Sequence, residues 1–366
     1  MNAAPSPTPS PAVPSPIAAV KRTWVFWLKL TVMLLIVVGL GLAMRKSLML
    51  LRETGGDWKL LYGWFIAATG VYILSLLPSG IFFHAGMLGL GQHPGWYRAI
   101  RAYYIGHLGK YVPGKAMVPI LRAGLVCGPR VSVAAAVAAV FLETLTWIAA
   151  GAFWGVACLV GVYRDAADQR LLVAAVAIAL CTMLPTLPPI FRFALTVLGK
   201  IFPRKAAALD DLKRLRFRTL AFGWLCSSVA WWGMGLSFWM VLRSIGLIGL
   251  DDLFPLRTIP FCMMTISLAV SVSFLILPLP GGLGVRETII YAMIVAVFFA
   301  SGNGAESGAG ADQNIAKAIA ALSAVLFRII SLGGEAFISA ILYAIRPAPE
   351  PDALSSTGPS ETGIDS

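Results

Sequence analysis

A chain of 366 residues with 58% hydrophobic and only 13% charged residues, at a mean hydropathy of +0.81, is not built for water, where about 25% of residues are charged. Its formal charge of +12 does not signal nucleic acid. Many of the basic residues sit at the ends of apolar segments, where a membrane protein keeps its inward loops, and no soluble basic domain is present to grip a duplex.

Residues 1–20 are mostly Pro, Ser and Ala without a charge; they cannot form a packed core and are expected to be disordered. Lys21 and Arg22 precede an apolar run from Trp24 to Met44, longer than a signal-peptide core and followed by no Ala-x-Ala site, which predicts an uncleaved first spanning helix. A second span is predicted at 59–77. From Ser79 to Arg130, Gly, Pro and basic residues are scattered through weakly apolar sequence. Spans three and four are predicted at 131–162 and 170–190, the third long enough to require tilt or a kink. The stretch 191–218 carries eight basic residues against Asp210 and Asp211 and is the clearest inward loop. Spans five to eight are predicted at 219–242, 258–277, from the glycines of 280–284 to Ala300, and at 315–345. The Pro- and Ser-rich tail, 347–366, is again expected to be disordered.

The fold class is therefore all-α: a polytopic transmembrane helical bundle over 21–346, with about eight spanning helices and re-entrant Pro-Gly segments. Lysine and arginine counts place 98–130, 191–218 and both termini on the inner side, and the links 163–170 and 301–314 outside. Arg45, Lys46, Arg52 and Lys59 are discordant with an outer first link. Tryptophans such as Trp24, Trp27, Trp58, Trp64, Trp224, Trp231 and Trp232 lie mainly near span ends and read as interfacial anchors. The five cysteines, an odd number with no Cys-x-x-Cys, read as small buried hydrophobes. His84, His93 and His107 lack the spacing or partners of a metal site, and nothing calls for a cofactor.

Two places break the apolar pattern with Pro-Gly: Leu108 to Lys115, followed by Arg122, and Pro278 to Glu287. Each precedes a small-residue-rich helix with one charge at a comparable place, Glu143 in the first and Arg328 in the second. Under the topology above those helices cross in opposite directions, as an inverted repeat requires, and paired Gly/Pro interruptions are the best sequence pointer to a substrate site in such folds. Gly and Ala are so abundant here that chance similarity competes with a real repeat.

Charges inside hydrocarbon cost about 2.5–3.5 kcal/mol each, so Glu143, Arg286, Glu287, Arg328 and Glu335 are informative. Arg328 and Glu335 are seven apart on one helix face, and Glu143 is placed to meet Arg328 across a helix interface. Either these charges line a wet cavity for a charged headgroup or they pair to fix helix packing. Gly281, Gly282 and Gly284 can turn the backbone so that its N–H groups form an anion nest, immediately before Arg286. An arginine at a helix start opposes the helix dipole, and a phosphate between nest and guanidinium would account for it. Lys110, Lys115 and Arg122 similarly surround the first turn, at Pro113 and Gly114. Ordinary positive-inside anchoring is the alternative for these cations.

The motif Gly-x-Leu-Gly-Lys-Tyr-x-Pro-Gly-Lys (Gly106 to Lys115) with the later Glu143, and Pro-x-Pro-Gly-Gly-Leu-Gly-Val-Arg-Glu (Pro278 to Glu287) with the later Arg328, resemble the membrane region of lysylphosphatidylglycerol synthases, over roughly residues 20–345. That region also occurs alone in flippase-like integral membrane proteins. The resemblance implies a bacterial inner-membrane protein that moves a lipid without the soluble domain that would add lysine. The leading expectation is a translocase for a lipid or lipid-linked glycan with an anionic headgroup, not an enzyme. Two alternatives stand beside it: a non-transporting partner of a cell-envelope biosynthetic enzyme, docked through 191–218, and an intramembrane headgroup transferase. The transferase lacks an Asp-x-Asp or a ligating His cluster.

Overall fold

The computed structural model describes residues 59–112, 117–128, 130–163, 216–246, 255–275, 282, 284–300 and 309–345, with isolated positions in 31–49 and 173–196. The main helices are α1 (Tyr62–Gly89), α2 (Trp96–His107), α3 (Met117–Val126), α4 (Val133–Tyr163), α5 (Phe217–Ser244), α6 (Ile259–Leu275), α7 (Val285–Ala300) and α8 (Ala309–Ala344). Among the described residues, four helices are long and apolar enough to cross a membrane: Tyr62–Gly89, Val133–Gly161, Phe217–Ser244 and Asn314–Ala344. They correspond to the second, third, fifth and eighth expected spans. The first and fourth lie largely outside the described residues, as do the tails and most of 191–218.

The second span is longer than expected. It starts at Tyr62 and runs through Pro78 to Gly89, 28 residues in all. A helix-interior proline normally ends or kinks a helix because it removes one backbone bond. Here neighbouring helices hold the segment: the Tyr104 hydroxyl donates to the Ile73 carbonyl at 2.8 Å, and Ser79 and Gly80 are buried against the bundle. Packing overrides the local signal.

The sixth and seventh expected spans are α6 and α7, of 17 and 16 residues. At 1.5 Å per residue each is about 25 Å long, just short of the roughly 30 Å hydrocarbon core. Helices α2 and α3 are shorter still, 12 and 10 residues, or about 18 and 15 Å. They pack on each other as a hairpin that enters the bundle alongside the end of α8. The Tyr97 hydroxyl donates to the Ile345 carbonyl, Arg101 Nε to that of Leu342, and the Ser339 hydroxyl to that of Tyr104. The two helices thus run antiparallel, and the hairpin's tip reaches Glu335. This is the re-entrant geometry anticipated for the first Pro-Gly segment.

Helices α1 and α5 form the centre. Leu61 N–H bonds the Ser244 carbonyl, the Ser237 hydroxyl bonds that of Ala68, Gly233 faces Ser75 and Gly223 faces Phe82. The pairs descend in one sequence as they rise in the other, so α1 and α5 are antiparallel. At one end Lys59–Leu60 and Ile245–Gly246 add a two-residue antiparallel pairing. Each central helix is followed by a broken hairpin (α2/α3; α6/α7) and a long helix (α4; α8). Helix α4 packs against α6, and α8 against α2, so each half's last helix seats on the other half's hairpin. Equal element order, exchanged packing and opposed central helices are the arrangement that an inverted repeat requires.

Small residues set the helix spacing, as expected in lipid. A Cβ on Gly151 would lie 2.4 Å from the Trp231 ring, which stacks on Trp147 at 4.3 Å and donates Nε1–H to the Trp147 carbonyl at 2.8 Å. Trp231 is therefore a buried core residue rather than an interfacial anchor. It lies in mid-helix, where Gly151 leaves room for it. The surface is apolar, with Ile66, Leu74, Phe141, Leu225 and Phe337 exposed, while Arg122, Glu143, Arg286, Arg328 and Glu335 are buried. A bundle with its charges inside and its leucines outside is matched to hydrocarbon.

Candidate functional site

The first hairpin is shaped by two glycines. A Cβ on Gly106 would sit 2.3 Å from Cγ of Arg122, and one on Gly109 would sit 2.7 Å from the Val118 amide nitrogen. These positions let the arms close, and the Arg122 stem lies in the gap. Its guanidinium donates to Glu143 Oε2 at 2.6 Å, with both side chains buried. It also stacks on the Tyr103 ring, 4.1 Å from the centroid, and its Nη2 donates to Nδ1 of His107 at 3.2 Å. Arg122, not Arg328, is thus the partner of Glu143. Helix packing brings α3 rather than α8 to that face of α4, which residue spacing alone does not reveal.

His107 links this pair to a second one. Its Nε2 lies 3.7 Å from Glu335 Oε1. Glu335 is 1% exposed and accepts from Lys110 Nζ at 2.6 Å, from the Tyr72 hydroxyl at 2.5 Å and from the Tyr111 hydroxyl at 3.1 Å. A buried carboxylate so supplied with donors is a satisfied hub. Arg328 lies on the same face of α8, near the middle of its apolar span, with its guanidinium 5.6 Å from the Tyr111 ring centroid. Tyr111 therefore bridges the two α8 charges.

The second Pro-Gly turn meets the same cluster. Gly282 and Gly284 have φ values of +71° and +81°, the left-handed region that glycine alone adopts without strain. A Cβ on Gly282 would also meet that of Ser273 at 2.5 Å. The expected anion nest is partly filled from within. Gly284 N–H donates to Glu287 Oε2 at 2.8 Å, so Glu287, at the third position of α7, reaches back to the helix start as in a capping box. Its Oε1 lies 3.7 Å from Arg328 Nε, an ion pair without a hydrogen bond. Arg286 is buried, 8% exposed. Its Nε has no hydrogen-bond partner, and the charged groups nearest in its electrostatic surroundings are Arg328 and Glu287.

Lys110, Arg122, Glu143, Gly282, Gly284, Arg286, Glu287, Arg328 and Glu335 are thus brought into one contiguous region, at the tips of two hairpins and the middle of α8. Pro113, Gly114, Lys115 and Gly281 lie outside the described residues. Sequence reasoning missed Tyr72, Tyr103, His107 and Tyr111 as members. Tyr111 stood inside the first motif and could have been read from it, whereas Tyr72, alone in an apolar run, carries no local signal.

An all-helical membrane domain with buried charges gathered where two broken hairpins meet defines the class. The chain belongs to the lysylphosphatidylglycerol synthase TM region family, whose model matches residues 26–333. No curated protein and no solved structure matches it.

Proposed function

We propose that this protein is a translocase for a lipid, or a lipid-linked glycan, with an anionic headgroup, acting in the bacterial inner membrane with both termini on the cytoplasmic side and making no chemical change in its cargo. The observation that carries the reading is a charge imbalance. Among the described residues of the cluster, Lys110, Arg122, Arg286 and Arg328 are opposed by Glu143, Glu287 and Glu335, so four cations less three carboxylates leave one positive charge. Lys110 and Glu335, Arg122 and Glu143, and Arg328 and Glu287 are each within ion-pair distance. The surplus falls on Arg286. A purely structural network would be expected to balance, because an uncompensated buried charge costs several kcal/mol.

In this reading the headgroup is held by Arg286 and the Pro-Gly turns, including Lys115, while its acyl chains stay in lipid. The two inverted halves rock about the cluster, as repeat-built transporters do around a fixed midplane site. The test uses purified protein in vesicles containing an acyl-labelled phosphatidylglycerol, with a membrane-impermeant quencher to follow headgroup movement. Arg286→Ala and Arg328→Ala are expected to abolish movement while expression and elution profile stay normal. Unchanged movement in both variants would refute the proposal.

A further inference from the structure

The two arms of the first hairpin are anchored to different helices. Helix α2 and the turn Leu108–Tyr111 that follows it are held on α8: Ser339 donates to the Tyr104 carbonyl, and Lys110 and Tyr111 reach Glu335 at 2.6 and 3.1 Å. The other arm, α3, is held on α4 by the Arg122–Glu143 pair. At the mouth the arms are tied together, since Arg98 donates to the carbonyls of Leu125 and Cys127. Nearer the tip, His107 joins them. Its Nδ1 lies 3.2 Å from Arg122 Nη2 and its Nε2 lies 3.7 Å from Glu335 Oε1, so one imidazole faces both anchors. Its side chain is 16% exposed, against 2% for Arg122 and 1% for Glu335. Of the three, it is the one that water reaches.

We infer that His107 is a proton-binding site, and that a proton taken up from water at its Nδ1 releases Arg122 and parts the arms of the first hairpin at their tip. A guanidinium has donors only, so Nδ1 accepts from Arg122 and the neutral ring carries its hydrogen on Nε2, towards Glu335. A hydrogen on Nδ1 would meet a donor and a positive charge. The proton and the Arg122 contact therefore exclude each other. The cations in the electrostatic surroundings of the ring are Lys110 of the turn, Arg122 of α3 and Arg286 of α7, and the facing carboxylate is Glu335 of α8. Glu143 of α4 stands behind Arg122 and Tyr72 of α1 behind Glu335, while the Tyr103 ring of α2 lies 5.7 Å from the imidazole. A cationic His107 is drawn to Glu335 and repelled by Arg122, which keeps Glu143 as its partner. Helix α2 thus stays with α8 and α3 with α4, and the Arg98 contacts at the mouth act as the hinge. The inference rests on the translocase reading only for what the opening serves, which is to couple movement of the cargo to a proton.

The test follows the proton, the hairpin and the cargo separately. The full-length chain has three histidines, and with isotopically labelled ring nitrogens His107 is assigned in magnetic resonance spectra by its loss in His107→Asn. Its nitrogens are expected to report the Nε2–H tautomer at high pH and to take up a proton between about pH 5 and 8, where imidazole changes charge. Arg122→Lys keeps a cation for Glu143 but loses the fork, and is expected to raise the midpoint by about one pH unit, a tenfold gain in proton affinity. Ile120 on α3 and Phe337 on α8 are both exposed. Spin labels on cysteines at these two positions, with the native cysteines replaced, are expected to move apart as the proton is bound, and to stay in place in His107→Asn, whose amide oxygen still accepts from Arg122. In the phosphatidylglycerol vesicle assay the rate is expected to follow pH over the same range, and His107→Asn to remove that dependence. A ring that stays neutral down to about pH 5, or a midpoint that Arg122→Lys does not move, overturns the proton site. A constant distance between the labels overturns the opening, and a pH dependence that survives in His107→Asn overturns the coupling. Absence of movement in the unaltered protein at every pH refutes the translocase reading, and the nitrogen titration and the label distance then decide the proton site and the opening by themselves.

Discussion

Glu335 shows why a charge inside a membrane protein is best read from its partners. The sequence marks it as anomalous, an acid in an apolar helix, but its role in the packing comes from Lys110, Tyr72 and Tyr111, which arrive from two other elements. Removing one partner of a buried pair leaves the other uncompensated and typically costs about 3–5 kcal/mol. Glu335→Gln keeps the shape and one acceptor oxygen but leaves Lys110 unopposed. It is expected to destabilise the protein by an amount in that range, read from unfolding in mixed micelles. A change within measurement error would show that Glu335 is not the hub described. Glu143 makes the complementary point. Its burial was legible from sequence, but its partner was not, because which helix faces α4 is decided by packing over the whole bundle.

The hairpins were legible because their breaks are chemical. Pro and Gly interrupt helices for known steric reasons, and both motifs fall where helices turn back. Helix α1 shows the limit of that reasoning, since it runs through Pro78 and past the expected end at 77 to Gly89. The capping of α7 by Glu287 shows another. The glycines announced a backbone turn with exposed N–H groups, but the Glu three residues after Gly284 is itself an anion and takes one of them. The first hairpin allows a sharp comparison between two glycines. Gly106 has no space for a methyl, with Arg122 Cγ at 2.3 Å, whereas nothing lies within 4 Å of a Cβ on Gly124. Gly106→Ala is expected to force the arms apart and lower the melting temperature clearly. Gly124→Ala, in the interior of α3, should stabilise by up to about 1 kcal/mol through helix propensity. Equal effects from the two substitutions would contradict the close approach of α2 and α3.

At the scale of the molecule, the inverted repeat ties charge counting to packing. Counting Lys and Arg puts 98–130 inside and 163–170 outside, and the antiparallel contacts of α1 with α5, and of α2 with the end of α8, require that parity once the entry to α5 is placed inside. Four elements follow from this one choice. With the entry to α5 inside, the mouth of the first hairpin and the end of α8 would share the inner face, and the mouth of the second hairpin would share the outer face with the end of α4. Arg130 and Leu256 are exposed at the two mouths. In a background with the native cysteines replaced, Leu256→Cys should react with a membrane-impermeant maleimide in intact cells, and Arg130→Cys only in inverted vesicles. Labelling of both from one side would mean that the hairpins enter from the same face. The opposed halves would then not be an inverted repeat across the membrane, and a site shared between their tips would lose the access from alternate sides that translocation needs.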